Sequence, residues 1–171
     1  SLKDCFLIEP RVFDDSRGFF MEDYHFERYK KEVGIKGSFV QDNHSRSTRG
    51  VLRGLHYQYP KWQGKLVRAI VGAIFDVAVD IRRGSPTYGQ WVGYELTAEN
   101  GAQLYVPVGF AHGFVTLDPD SEIIYKCSDY YAPETEGSLL WNDPDIGIDW
   151  PTGSDPILSD RDLDAPLLND L

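Results

Sequence analysis

The chain has 171 residues, of which 42% are apolar and 26% are charged, and its formal net charge is −10. This length favours one domain over residues 1–171, and without a run of about 18 apolar residues we expect no membrane-spanning segment. The negative charge argues against general nucleic-acid binding, because the phosphate backbone would be repelled. Cys5 and Cys127 predict buried thiols of a reducing compartment, and therefore a cytoplasmic location.

Short strands dominate the predicted elements. In chain order we predict strands at 6–13, 18–24, 39–45, 51–58, 65–81, 90–96, 103–106, 113–117 and 122–127. The 65–81 run alternates, with Phe75 and Val77 on one face and Asp76 on the other, and Gly72 breaks it. Spacing of roughly 8–12 residues between short strands is typical of a sandwich or closed barrel.

One short helix and an irregular tail complete the predicted elements. The helix covers residues 26–33 and ends at Gly34, which suits the left-handed conformation of a helix stop. Prolines are too frequent after residue 143 for regular structure. Because Trp141, Trp150 and Ile157 are large apolar groups that favour burial, this tail is predicted to wrap around the domain.

A motif between residues 50 and 65 suits proton transfer next to a carbonyl. It contains Arg53 and His56, and Lys65 follows nine residues after the histidine. An imidazole can take a proton, and an ammonium group can hold a developing oxyanion. In a continuous strand Arg53 and His56 would lie on opposite faces, unless Gly54 bends the strand. The alternative is that His56 is a histidine packed in the core. Lys65 argues against this alternative, because the charge of Lys65 has no acidic neighbour nearby in the sequence.

Further candidates follow in the second half of the chain. His112 lies in an apolar, glycine-containing strand, where it is either a site residue or a core histidine bonded to a backbone carbonyl. Tyr125 is either a buried structural phenol or a general acid that reprotonates a carbanion. An acidic residue near the C-terminus could orient a histidine, but spacing alone does not choose between Asp160 and Asp162.

The histidine pattern argues against a metal centre. A metal-binding double-stranded β-helix would carry a second histidine two residues after His56, where this chain has Gln58. Its four histidines, at positions 25, 44, 56 and 112, give at most two plausible ligands. Stable zinc or iron sites typically use about three or four protein ligands. We therefore predict no metal.

The chain resembles the dTDP-4-dehydrorhamnose 3,5-epimerase family of the cupin superfamily from about position 13 to 168. The matching blocks are DSRGFF (15–20), FVQDNHS (39–45), RGVLRGLH (49–56), QGKLVR (63–68), FDVAVD (75–80), PVGFAHGF (107–114) and WNDP (141–144). The resemblance implies an all-β jelly roll (cupin, double-stranded β-helix), a homodimer and no cofactor. The implied reaction inverts C3 and C5 of dTDP-4-keto-6-deoxy-D-glucose and gives dTDP-4-keto-L-rhamnose.

The resemblance also implies roles for individual residues. His56 would be the base, Asp162 its dyad partner, Tyr125 the acid on the opposite face of the sugar, and Lys65 the group that stabilises the enolate oxygen. Arg161 stands where the family commonly has lysine, which keeps the charge and permits bidentate phosphate binding. The substrate would be bound by Arg17, Glu22, Gln41, Asn43, Arg53, His112, Glu136 and Arg161, with Arg17 and Glu22 reaching across from the partner subunit.

Three alternative functions share parts of this pattern. Epimerases that invert only C3 or only C5 have the same dyad and tyrosine. A related ketoisomerase moves the carbonyl from C4 to C3 on the same fold. A non-enzymatic sugar-binding jelly roll would use aromatic platforms such as Tyr57, Trp62 and Trp91, and would not need His56 together with Lys65.

Overall fold

The computed structural model of the chain describes residues 2–152 and 155–171, and it is built mainly from antiparallel strands. The strands are β1 (Phe6–Ile8), β2 (Val12–Asp15), β3 (Gly18–Met21), β4 (Gln41–Thr48), β5 (Leu52–Gln58), β6 (Lys65–Val71), β7 (Ala73–Asp80), β8 (Trp91–Thr97), β9 (Gln103–Val106), β10 (Phe110–Thr116), β11 (Asp120–Cys127) and β12 (Glu136–Ser138). Helix α1 (Phe26–Arg28) continues as a π-helix (Tyr29–Val33), and α2 spans Asp160–Leu163; single 3₁₀ turns lie at Pro133–Thr135 and Leu168–Asp170.

Two five-stranded sheets form the domain. One has the strand order β1-β9-β6-β11-β4 and the other β12-β5-β10-β7-β8, while β2 and β3 form a separate hairpin. Val67, Leu104 and Ile123 of the first sheet pack against Ile74 and Ala78 of the second. Neighbouring strands are mostly not consecutive in sequence, as in a jelly roll. The predicted all-β jelly roll is therefore confirmed.

The C-terminal segment covers the outer face of the second sheet. Leu139, Ile146 and Trp150 pack with Leu55 and Val77 in a second core. Strand β7 is consequently buried on both faces, including the face that carries Asp76. The predicted wrap is confirmed as mostly irregular structure. The burial predicted for Ile157 is wrong, because its side chain is 58% exposed at the rim of a cavity.

The predicted helix has the right ends but an unexpected type. It runs from Phe26 to Val33, and Gly34 ends it with φ of 85°. The amide of Gly34 donates to the carbonyl of Tyr29 at 3.1 Å, five residues back, which makes the second half π-helical. Tyr29 is buried, and its hydroxyl donates to the backbone carbonyl of Asp23 at 2.9 Å.

Several strand limits also differ from the sequence pattern. The predicted strand at 6–13 is two strands separated by Pro10, which cannot donate a ladder hydrogen bond. Strand β10 begins at Phe110, three residues before the predicted start, directly after the turn at Gly109 with φ of 84°. The predicted division of 65–81 at Gly72 is confirmed.

Gly54 produces a bulge in β5. His56 pairs with His112 of β10, whereas Arg53 pairs with Phe114. Between these two pairs β5 advances by three residues and β10 by only two, so β5 contains one extra residue. Gly54 has φ of 121°, in the left-handed region that favours glycine. Leu52 and Leu55 consequently face the outer core, and both Arg53 and His56 line the cavity on the other side.

Replacement of Gly54 by alanine tests this bulge. A Cβ there would lie 2.6 Å from the Cα of Gly113 and 2.7 Å from the carbonyl oxygen of His112. We expect Gly54→Ala to lower the free energy of unfolding by about 2–5 kcal/mol, from the positive φ and the clash together. The matched control is Gly50→Ala, where φ is 79° and nothing lies within 4 Å, and we expect about 1–2 kcal/mol. Urea denaturation followed by tryptophan fluorescence at one protein concentration measures both, and equal losses would contradict the steric role.

Candidate active site

A cavity of about 470 Å³ opens between the two sheets. Strand β5 contributes Arg53 and His56, and β10 contributes His112. From the facing sheet β6 contributes Lys65 and β11 contributes Tyr125. The C-terminal segment closes one side with Arg161 and Asp162. Residues that are far apart in sequence therefore meet in one chamber.

His56 forms a dyad with Asp162. The Nε2 of His56 lies 2.6 Å from Oδ1 of Asp162. Asp162 is only 3% exposed. Helix α2 holds Asp162 in this position, and the hydroxyl of its N-cap residue Ser159 accepts a hydrogen bond from the Asp162 amide at 3.3 Å. Asp160 is exposed, so the geometry separates the two aspartates that spacing could not.

The dyad has a defined proton arrangement. Burial alone would raise the pKa of Asp162, but its hydrogen bond to His56 and the charge of His56 outweigh burial and hold the pKa below its usual value. An ionised carboxylate only accepts hydrogen bonds, so Nε2 of His56 carries the proton that is donated to Asp162. The lone pair of the neutral imidazole is then on Nδ1, where it can accept a proton.

Lys65 is a cation without a carboxylate partner. Among residues 2–152 and 155–171, no carboxylate oxygen lies within 4.0 Å of its ammonium nitrogen. Burial lowers the pKa of Lys65, and nearby Cys127, Asp76 and Glu136 oppose this effect. The ammonium group is therefore available to a negatively charged oxygen of a bound molecule.

His112 forms a second histidine–aspartate pair. Its Nε2 lies 2.8 Å from Oδ1 of Asp76, and both residues are buried. The alternative of a core histidine bonded to a backbone carbonyl does not hold, because the partner of this nitrogen is a carboxylate. Burial lowers the pKa of His112, while the charge and hydrogen bond of Asp76 act in the opposite direction. Sequence reasoning missed Asp76 as a site residue, although a charged residue on a face shared with Ala78 was the available signal.

Tyr125 faces the dyad from the other sheet. Burial raises the pKa of its phenol, and a hydrogen bond with Asn43 only partly opposes this rise. The phenol therefore keeps its proton at neutral pH and can donate it. Because His56 is on β5 and Tyr125 is on β11, the two groups belong to opposite walls of the cavity.

Four other expected binding residues lie in or beside the cavity. Nη1 of Arg161 is 2.6 Å from Oε2 of Glu136, which also accepts from the hydroxyl of Tyr131 at 2.9 Å. Gln41 and Asn43 are hydrogen-bonded to each other at 3.0 Å on β4, next to Tyr125. Glu136, Gln41 and Asn43 are beside the cavity rather than in its lining. Tyr131 was missed by the sequence analysis.

Arg17 and Glu22 lie away from the cavity within the chain. Arg17 is in the turn between β2 and β3, its side chain is 87% exposed, and it pairs with Asp15 at 2.6 Å. Glu22 directly follows β3 and pairs with Arg28 at 2.9 Å. One copy of the chain therefore brings neither residue to His56.

The described residues contain neither a metal-ligand cluster nor a helix that could span a membrane. Among these described residues, no three His, Cys, Asp or Glu side chains lie close enough together to hold a metal ion. No helix there is both long and apolar enough to cross a membrane. Cys5 and Cys127 are both buried and form no disulfide.

Comparisons with known proteins agree on one family. The sequence profile described as dTDP-4-dehydrorhamnose 3,5-epimerase matches residues 1–170. The chain is 58% identical to the Pseudomonas aeruginosa dTDP-4-dehydrorhamnose 3,5-epimerase, over 95% of this chain and 90% of that protein. It is 43% identical to a dTDP-4-dehydrorhamnose 3-epimerase of Streptomyces niveus, over 94% of this chain and 78% of that protein.

A crystal structure shows the same similarity in three dimensions. The dTDP-6-deoxy-D-glucose-3,5-epimerase of Legionella pneumophila, solved in complex with dTDP-4-keto-L-rhamnose, superimposes with a TM-score of 0.96 at 53% identity. The match covers 98% of this chain and 89% of that one.

Proposed function

This chain belongs to the dTDP-4-dehydrorhamnose 3,5-epimerase family and is an epimerase of dTDP-linked 4-keto sugars, and we propose that the cavity described above is its active site. The reaction inverts C3 and C5 of dTDP-4-keto-6-deoxy-D-glucose and yields dTDP-4-keto-L-rhamnose. One observation carries the assignment of residues: the His56–Asp162 dyad and Tyr125 belong to opposite walls of one cavity. The same cavity contains Lys65, which has no carboxylate partner among the described residues.

His56 begins each inversion as the base. The C4 ketone acidifies the hydrogens on C3 and C5, because the carbanion formed at either carbon is delocalised onto the C4 oxygen. Nδ1 of His56 accepts the proton, and the carboxylate of Asp162 stabilises the imidazolium that forms. Base catalysis of this kind typically contributes about 10²–10⁴-fold to the rate.

Lys65 stabilises the enolate intermediate. Removal of the proton places negative charge on the C4 oxygen. The ammonium group of Lys65 can receive this charge, because it has no carboxylate partner in the part of the chain that the structure describes. His112 assists from β10. A preorganised donor of this type typically lowers the barrier by about 3–4 kcal/mol.

Tyr125 completes the inversion. Its phenol donates a proton to the carbon from the wall opposite His56, so the hydrogen returns on the other face of the ring. Exchange with solvent then restores the proton of Tyr125 and removes the proton of His56. The same steps at the second carbon give the doubly inverted product without a metal or a cofactor.

The substrate is bound by charged and amide side chains around the cavity. Arg53 and Arg161 attract the diphosphate, and their local positive charge must offset the net charge of −10 on the chain. Gln41, Asn43 and Glu136 complete the nucleotide-sugar site beside the cavity. A cytoplasmic location, where Cys127 and Cys5 stay reduced, is part of the same proposal.

We infer that the enzyme is a homodimer that shares its binding residues. The β2–β3 hairpin pairs only with itself, and it exposes Phe13, Phe19 and Phe20 at 49%, 62% and 71%. Such an apolar surface favours association with a second copy. Contact through this hairpin would carry Arg17 and Glu22 of one subunit to the cavity of the other.

The base assignment is tested by deuterium incorporation. Chelator-dialysed enzyme is incubated with dTDP-4-keto-6-deoxy-D-glucose in deuterated water, and C3 and C5 are examined by proton NMR and mass. We expect the wild type to incorporate deuterium at both carbons. We expect His56→Ala to lower the rate of deuterium incorporation by about 10³-fold or more. The control is His44→Ala, because His44 is exposed and paired with Glu122.

Each result of this assay is decisive. Activity above about a tenth of wild type in His56→Ala would remove His56 from the role of base. Deuterium at one carbon only in the wild type would identify a single-centre epimerase, like the 3-epimerase relative. No exchange at either carbon would contradict the enzymatic function.

Replacement of Tyr125 by phenylalanine tests the acid. Because His56 still removes the proton, we expect Tyr125→Phe to exchange deuterium into the substrate while epimerisation falls by about 10²-fold or more. The matched control is Tyr130→Phe, whose ring is 65% exposed. The same NMR assay separates exchange from inversion, and full epimerisation by Tyr125→Phe would contradict the assignment.

The shared site is tested through the hairpin. We expect Phe20→Ser to shift the protein from dimer to monomer in sedimentation velocity, since it removes the most exposed aromatic group of the hairpin. KM should rise in parallel, because Arg17 and Glu22 no longer reach a second cavity. Tyr59→Ser, which removes an aromatic side chain 64% exposed elsewhere, serves as control. A monomeric wild type would refute the dimer.

A further inference from the structure

Asp76 lies behind the active-site cavity with half of its carboxylate unsatisfied. It is in the middle of β7 and fully buried, and its Oδ1 is 2.8 Å from Nε2 of His112. Its Oδ2 has no hydrogen-bond partner in the part of the chain that the structure describes. The mechanism proposed above assigns no task to this group.

This arrangement is costly, because a buried carboxylate oxygen without a donor loses its hydration and gains nothing in return. The other buried aspartate of β7 shows how the same strand satisfies such a group. Asp80 accepts hydrogen bonds from Arg82, Ser85 and Thr87. The Asp76 carboxylate lies behind the cavity without such partners for Oδ2, which raises the question of how it affects the neighbouring side chains.

The surrounding groups identify Lys65 as the neighbour that needs this charge. The titratable and charged side chains between the two sheets include those of the cavity lining and of the inner core near Asp76. They are His112, Lys65, Arg53, His56, Tyr125, Cys127, Tyr94, Glu136 and Cys5. Two other carboxylates line or adjoin the cavity, but Asp162 is bonded to His56 and Glu136 to Arg161. Burial raises the pKa of the Cys127 thiol, which is therefore neutral at pH 7.

We propose that Asp76 is a positioning residue: one carboxylate oxygen fixes the ring of His112, and the uncompensated charge keeps Lys65 as an ammonium ion. This inference rests on the proposed function, since it concerns the cation that receives the enolate charge. Burial in the cavity favours the neutral amine of Lys65, and a neutral amine would stabilise an enolate far less. Asp76 acts only through Lys65 and His112, since it does not line the cavity.

The test is the pH dependence of Asp76→Asn, which keeps the shape and the hydrogen bond to His112 but removes the charge. Loss of a nearby anion destabilises the ammonium form, so the pKa of Lys65 falls and activity is lost at a lower pH. We expect kcat/KM of Asp76→Asn to fall about tenfold more than that of the wild type between about pH 7 and pH 9. The decline of kcat/KM at high pH is the basic limb of the pH profile. Asp76→Glu, which retains the charge, should return this basic limb to its wild-type pH even if turnover is reduced.

Asp80→Asn is the matched control for removing a buried carboxylate from β7. It should lower stability without moving the basic limb. An unchanged limb in Asp76→Asn, or an equal displacement in Asp80→Asn, would overturn the proposal and leave Asp76 as a structural residue.

A second measurement needs neither a variant nor activity. With ¹⁵N-labelled lysine, the titration of the Lys65 side chain is followed by NMR in the substrate-free wild type. We expect an ammonium group at about pH 7. A Lys65 that is already neutral at that pH would overturn the proposal, whatever reaction the protein catalyses. Failure of the deuterium assay alone would instead count against the function and leave this result intact.

Discussion

The bulge at Gly54 is the constraint on which the active site depends. A regular strand would separate Arg53 from His56 by sending them to opposite faces, and one of them would enter the outer core. The bulge brings both to the inner face and leaves Leu52 and Leu55 to pack under the C-terminal segment. It requires that β5 and β10 approach closely, which explains why Gly113 stands opposite Gly54. Gly54 therefore allows β5 both to place Arg53 and His56 in the cavity and to pack its leucines in the outer core.

Charge is distributed unevenly inside the domain. The carboxylates of Asp162, Glu136 and Asp80 each have a side-chain hydrogen-bond or ion-pair partner. Lys65 lacks a carboxylate within reach in the described chain, and Asp76 is only half satisfied. In the proposed mechanism the enolate supplies the negative charge that Lys65 lacks, since full internal pairing of this cation would leave nothing for the transition state.

The sequence predicted the architecture better than the site, for physical reasons. Alternating β-branched residues and turn residues give most strands, and Gly72 and Gly34 ended their elements as predicted. The π-helical turn was not predicted, because five residues are too few for a periodicity to distinguish it from an α-helix. Spacing could not choose Asp162 over Asp160, because the choice depends on which face of α2 meets β5; the family resemblance implied Asp162, and in the fold Asp162 is the residue that contacts His56. Asp76 was missed because the alternation of apolar and charged residues in β7 suggests one buried and one exposed face. The alternation does not show that the face carrying Asp76 is buried as well.

The C-terminal wrap gives catalysis a different dependence on folding from that of the sandwich. Asp162 stands 106 residues after its histidine partner, on a segment joined to β5 through a parallel bridge between Val51 and Ile157. The segment has little regular structure, and such regions open at lower free-energy cost than a sheet core. Transient detachment would therefore separate Asp162 from His56, the proposed base, while both sheets remain intact. The His56–Asp162 contact therefore depends on the C-terminal segment remaining docked beside β5, and not on the two sheets alone.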